Sequence, residues 1–178
     1  MKNSSKVRIR IPHFLKGPLL ALAFLLISVS LMAQEKPTTN DKANTFNEDG
    51  NKALAAMKAR AQELKIQGVA VVAYAEGETV SAWSSKMIVV GTLKTPTSDK
   101  DPGSNLLAIA YSKAAEMADT LKASGTAGRN PMKGEFGWQG GLVRKGKSGY
   151  LIAAFSGGKS EDDVKVSQAG LDVLAVQL

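Results

Sequence analysis

The chain contains no cysteine, and among its 178 residues the only histidine is His13. Acidic residues are missing from the first 33 positions, where Lys2, Lys6, Arg8, Arg10 and Lys16 lead into the apolar run PLLALAFLLISVSLM and the small residue Ala33. A basic head, an apolar middle and a small exit form the pattern of a secretory signal, so cleavage after Ala33 is expected to leave a chain starting at Gln34. The run is 15 residues long, shorter than the roughly 20 that cross a bilayer. A periplasmic or secreted location follows, with membrane contact only through the export signal. Leu31 is larger than the residue usual at such an exit, which leaves an uncleaved anchor as the alternative.

These absences have chemical consequences. His13 is lost with the signal, so the mature chain has no imidazole and no thiol, and Ser-His triads, zinc sites and thiol chemistry are excluded. Stability has to come from packing, since no disulfide forms even in an oxidising compartment. All five charges of the signal are positive, so 18 basic residues face 16 acidic ones in the remainder, a net +2 instead of +7. That balance gives no basic surface for a nucleic acid. About 145 residues suffice for one core.

Residues 34–44, QEKPTTNDKAN, are polar and without rhythm, and read as a disordered tether. The single domain is expected over residues 45–178. Its first element is an amphipathic helix over about 45–67, with Phe46, Ala53, Leu54, Met57, Ala61 and Leu64 at helical spacing and Gly68 as its stop. GVAVVAYA and TVSAWSS, separated by EGE, read as a hairpin. MIVV is a further short strand, followed by a long loop that holds two prolines. Asn105 or Ser104 caps a second helix with the stripe Leu106, Ile109, Ala110, Ala114, Met117, Ala118 and Leu121, ending near Ser124 and Gly125. A glycine-rich loop leads to a second hairpin, LVRK and YLIAAFS, turned at residues 146–149. The last helix runs from about Glu161 to the end, with Ser160 as cap and Asp163 in a capping box. Helix, hairpin, helix, hairpin, helix predicts an α+β fold, with a central antiparallel sheet of four to five strands and helices packed on it.

Gly158-Lys159-Ser160 has the closing letters of a phosphate-binding loop, but the glycine required five positions before Gly158 is Ala153. Glu161, Asp162 and Asp163 also occupy the helix entrance that a phosphate would use. A capped turn is the plainer reading; the amides of Gly157 and Gly158 remain candidates for a small carboxylate or sulfate.

The stretch GGLVRKGKSGYLIAAFSGGKSEDDVKVSQAGLDVL carries the pair Gly140 and Gly141, the hairpin turn, Ser156-Gly157-Gly158, Asp162-Asp163 and Ala169-Gly170-Leu171. In that order it resembles the GlcG/HbpS family of haem-binding-protein-like domains, related to the C-terminal domain of PduO. AIAYSKAA, residues 108–115, and GVAVVAYAEGE resemble the family's middle helix and first hairpin. The chain departs from the family at Tyr74 or Ala75, where an aspartate is usual, at Val143 in place of a proline, and near Glu116 in place of a threonine. An insertion lies between Met87 and Gly103.

The resemblance implies a profilin-like sandwich that forms homo-oligomers, an exported ligand-binding role, and haem as a cofactor, with haem handling or redox sensing as the setting. With histidine and cysteine absent, axial ligands are limited to Tyr74, Tyr111, Tyr150, Met57, Met87, Met117 and Met132. Met57 and Met117 fall on apolar stripes and read as core. Tyr111 lies off its stripe and is the better candidate. Met132 and Trp138 in the glycine-rich loop are candidates to line a pocket, and Lys113, Arg129 and Lys133 to pair with propionates or another carboxylate. The ligand-binding set is therefore Tyr111, Lys113, Met132, Trp138, Gly140, Gly141, Ser156, Gly157 and Gly158. Two alternatives stand beside it: an enzyme using Lys113, Glu116 and Asp119 on one helical face, and a non-catalytic assembly or sensor partner.

Overall fold

The computed structural model describes residues 39–177. The signal, its cleavage point and residues 34–38 lie outside the described residues. The order is α1 (Thr39–Glu63), β1 (Gly68–Glu76), β2 (Ser84–Val90), α2 (Leu106–Thr120), β3 (Gly141–Lys145), β4 (Gly149–Ser156) and α3 (Ser160–Gln177).

β1 and β4 are nearly continuous apolar runs, because each is covered on both sides. They pair antiparallel at the centre of a four-stranded sheet of order β2-β1-β4-β3, with Val71 opposite Ala154 and Val72 opposite Ala153. Side chains alternate across a strand. Ala70, Val72 and Tyr74 of β1 and Leu151, Ala153 and Phe155 of β4 therefore meet Phe46, Leu54 and Met57 of α1 and Val166, Leu171 and Leu174 of α3. On the opposite face, Val69 and Val71 meet Leu106, Ile109 and Ala110 of α2, while Ala73, Ile152 and Ala154 meet Ala114 and Met117. The fold is the expected α+β sandwich: three helices on an open antiparallel sheet, α1 and α3 on one side and α2 on the other. Burying a side chain the size of Phe155 contributes about 2–3 kcal/mol, so the two faces carry most of the stability. Both edges are short of a partner; β3 is brief and ends in Arg144 and Lys145, which discourages further pairing.

Several boundaries move. α1 starts at Thr39, inside the stretch expected to be disordered, because residues 39–44 tolerate helical backbone once Phe46, which is 1% exposed, anchors the next turn in the core. The helix stops at Glu63 rather than at Gly68. Lys65 takes the left-handed conformation, φ 56°, and the Lys65 and Ile66 amides donate back to Gln62 O and Ala61 O, a Schellman closure without glycine. Gly68 instead opens β1, where a Cβ would lie 2.0 Å from Ser156 O. The two strand candidates TVSAWSS and MIVV become one strand, β2, and residues 77–83 are loop. α2 ends at Leu121, left-handed at φ 52°, before Ser124.

The second hairpin matches expectation, and its glycine has a packing cause. A Cβ on Gly149 would lie 1.9 Å from Ala75 O on the neighbouring strand, a backbone atom that cannot give way. Gly149→Ala is therefore expected to destabilise the protein by about 3 kcal/mol in urea unfolding. Gly134→Ala, where the added atom meets open space and only φ +95° is unfavourable, should cost about 1 kcal/mol. Equal costs at the two positions would contradict this close strand approach.

Candidate functional site

The site begins with α2. Asn105 Oδ1 accepts from the Ala108 amide at 3.0 Å, and the Leu106 amide donates to Leu93 O at 2.9 Å, so helix and preceding loop are fixed together. From this start the core-facing stripe runs through Leu106, Ile109, Ala110 and Ala114 to Met117, and Lys113 falls on it. Lys113 is consequently buried, 3% exposed.

Its ammonium donates to Phe155 O at 2.7 Å and to Asp163 Oδ2 at 2.8 Å. Asp163, in the first turn of α3, is also 3% exposed, and its Oδ1 accepts from the Gly158 amide at 2.8 Å. Burial pushes Lys113 below the usual lysine range and Asp163 above the usual carboxylate range, while each charge opposes the other's shift and the amides of Gly158 and Gly157 hold the carboxylate. This corrects two expectations. Asp163 accepts from Gly158 and Lys113 instead of closing a capping box with Ser160, and the anion seated on the glycine amides is the chain's own carboxylate.

The glycine pair makes the ion pair sterically feasible. At Gly140, φ +130°, a Cβ would lie 2.3 Å from Lys113 Nζ and 2.8 Å from Asp163 Cβ. Its carbonyl accepts from Ser167 Oγ at 2.6 Å and from the Phe155 amide at 3.1 Å, tying β4 and α3 to the same point. Gly141 lets Met117 approach and donates its amide to Ser124 Oγ at 2.8 Å. Gly140 and Gly141 thus act through packing, and Gly157 does so too, against Gln67 O.

Beside the ion pair lies a cleft of about 200 Å³. Lys113 and Asp163 form part of its wall with Leu106 and Ile109, and the hydroxyl-bearing Thr95, Ser104, Ser156 and Ser160 surround it. Of the residues expected from sequence, it gathers Lys113, Trp138, Ser156, Gly157 and Gly158. Tyr111 is elsewhere: its hydroxyl is 3.2 Å from Ser85 Oγ and its ring 6.5 Å from that of Trp83. Met132, 52% exposed, is not among the lining residues. Asp163, Thr95, Ser104, Gln139 and Ser160 went unassigned; the signal for Lys113 and Asp163 was an ionic residue within an otherwise apolar or capping pattern, and the loop positions had none.

Trp138 is held by an ordered loop. Arg129 makes a bidentate contact to Glu135 at 2.7 and 2.9 Å and a further one to Asp119 of α2 at 2.8 Å, and the Met132 amide donates to Glu135 Oε2 at 2.8 Å. The Arg129 contact holds the Glu135 carboxyl down at about 2. Glu116, 3% exposed, accepts from the Gly125 amide at 2.8 Å. Lys113, Glu116 and Asp119, grouped as enzymatic candidates by spacing, therefore serve three separate contacts.

Haem is implied by the sequence resemblance, and the two clefts beside α2 can be compared with its ligand needs among the described residues. Neither this cleft nor the wider one of about 440 Å³ beside Trp83, Ala118 and Asp119 is lined by tyrosine or methionine. Tyr74 is 7% exposed with its hydroxyl 2.7 Å from Ser148 Oγ, Tyr150 is buried, and Met57 and Met117 are core.

No family model matches the chain, and no curated protein matches it. Among solved structures it is similar to a haem complex of PduOC, at TM-score 0.47 and 16% identity, over 71% of this chain and 91% of that one. It is also similar to the Klebsiella pneumoniae protein ORFY of the DUF336 family, at TM-score 0.43 and 16% identity, over 71% and 87%. At these values neither likeness carries an argument about ligand or activity.

Removing one member of the buried pair leaves an uncompensated charge, so Lys113→Met or Asp163→Leu should each cost about 3–5 kcal/mol in denaturant unfolding. The double variant should regain most of that loss; additive costs would show that the pair is not coupled. The Glu135 contact should contribute to loop order above about pH 4.5 and be lost as pH falls through about 2, because the folded carboxyl titrates below its unfolded value. Carbon-13 NMR of the Glu135 carboxylate checks this, and a midpoint near 4.5 would contradict the clamp.

Proposed function

We propose that the chain is an exported, non-catalytic binding module whose ligand presents a small carboxylate or carbonyl head to the cleft beside Lys113. One observation carries this reading. An ammonium has three N–H donors; Phe155 O and Asp163 Oδ2 engage two among the described residues, and Lys113 lines a cleft ringed by hydroxyls. The third donor matches an acceptor on a ligand.

Size favours a small head. About 200 Å³ is below the roughly 300–1,000 Å³ of sites for drug-sized ligands, and a porphyrin is larger still. Lys113 and Asp163 sum to no net charge, so a simple carboxylate should bind in the millimolar range, about 4 kcal/mol. The basic head and apolar run of residues 1–33 support the export part of this reading. Binding without turnover is consistent with the lack of imidazole and thiol in the mature chain.

Nitrogen-15 NMR of the chain from Gln34, titrated with sodium acetate against sodium chloride, tests the reading. Saturable shifts at the Ser156, Gly157 and Gly158 amides are expected with acetate alone. Haemin added in parallel should leave its Soret band unshifted. Absence of acetate shifts, or a stoichiometric Soret shift, would overturn the small-head reading.

A further inference from the structure

We infer that the ligand carries a flat apolar group behind its carboxylate or carbonyl head, and that Trp138 selects for it. This rests on the binding reading above and adds the other half of the ligand.

Trp138 lines the same cleft as Lys113 and Gly157, yet it is 50% exposed. Its ring is stacked on that of Phe136, with centroids 4.8 Å apart and planes 30° apart, and Phe136 is itself 47% exposed. Two large aromatic rings left half in water forgo about 1 kcal/mol each of burial. A stacked, half-exposed pair at the lip of a cleft matches a surface meant to be covered. The polar floor binds one end of a ligand, and the indole face offers a platform for a planar group next to it.

Beyond the cleft the lining is mixed, with Leu93 and Pro102 beside Lys94, Thr97 and Asn105. An adjoining hollow shares Thr95 and Ser104 with the cleft and is lined by Leu93, which is 41% exposed.

The loop's construction supports recognition over accident. Glu135, next to Phe136, has a side chain only 6% exposed and is gripped by the Arg129 fork, and Arg129 is anchored to Asp119 of α2. The segment that carries the aromatic pair is therefore pinned to α2 at Glu135, through Arg129. A ligand meeting such a surface loses less ordering entropy than one that must fold a loop around itself. A chain needing only a soluble surface has no use for two rings presented on a clamped loop.

The ligand class is thus a monocarboxylate or carbonyl compound bearing an aromatic or similarly flat ring. Nitrogen-15 NMR titrations with acetate, phenylacetate and cyclohexylacetate, following the Trp138 indole N–H and the Gly157 and Gly158 amides, test it. Phenylacetate should bind about tenfold more tightly than acetate, with cyclohexylacetate between them and the indole resonance moving only with the ring compounds. Trp138→Ala should bring phenylacetate to the affinity of acetate while the acetate shifts at Gly157 and Gly158 persist. Equal affinities in the unaltered chain would overturn the inference and leave the small-head reading standing. No saturable binding of any of the three would overturn both. A Trp138 indole that responds to protein concentration and ignores all three compounds would mean that a second copy covers the ring, which also overturns the inference.

Discussion

A lysine and an aspartate buried together, 2.8 Å apart and 3% exposed, impose conditions on everything around them. Isolated in such a place, either charge would be intolerable, so each needs hydrogen-bond partners as well as the other. Lys113 takes the carbonyl of Phe155 at the end of β4, and Asp163 takes the Gly158 amide at the entrance to α3. The helix on one face of the sheet is thereby joined to the helix on the other, around the point where β4 ends. The pair also requires emptiness beside it, which Gly140 supplies. Replacing the hydrogen of that glycine with any side chain would place an atom on the ammonium.

The same demands produce a cleft. The strand must end at Ser156 so that the glycines after it can turn toward Asp163, and the chain before α2 must stay close enough for Leu93 O to receive the Leu106 amide. Between these two loops space remains, floored by a polar pair and ringed by hydroxyls. The glycine-rich loop closes the third side. Its own ion pairs, Arg129 with Asp119 and Glu135, are partly exposed and fasten the loop to α2.

Much of the architecture was legible in the sequence. The dense apolar runs of β1 and β4 mark strands covered on both faces, and the stripe from Leu106 to Met117 marks a helix facing inward. Side chains of the right size at the right period suffice for such elements. Boundaries were less legible because they depend on tertiary contacts: Gly68 looked like a helix stop, yet its freedom is used for contact with Ser156, and Lys65 took the left-handed turn. At the site, Ser156, Gly157, Gly158 and Trp138 could be named, as could Lys113, but the partner of Lys113 could not. Asp163 lies 50 residues away, and its local pattern resembled an ordinary helix cap. Tyr111 lies apart from this cleft for a related reason. A residue off the apolar stripe faces either solvent or an edge strand, and Ser85 and Trp83, which decide the matter, belong to a distant hairpin.

The account stands on the claim that Lys113 is a buried, charged donor with one N–H available to a ligand. Direct observation of its ammonium by nitrogen-15 NMR examines that claim. A separate, slowly exchanging resonance, coupled to Asp163 and shifted on addition of acetate, is the predicted result. A resonance that exchanges as fast as those of surface lysines and stays unmoved by acetate would contradict it.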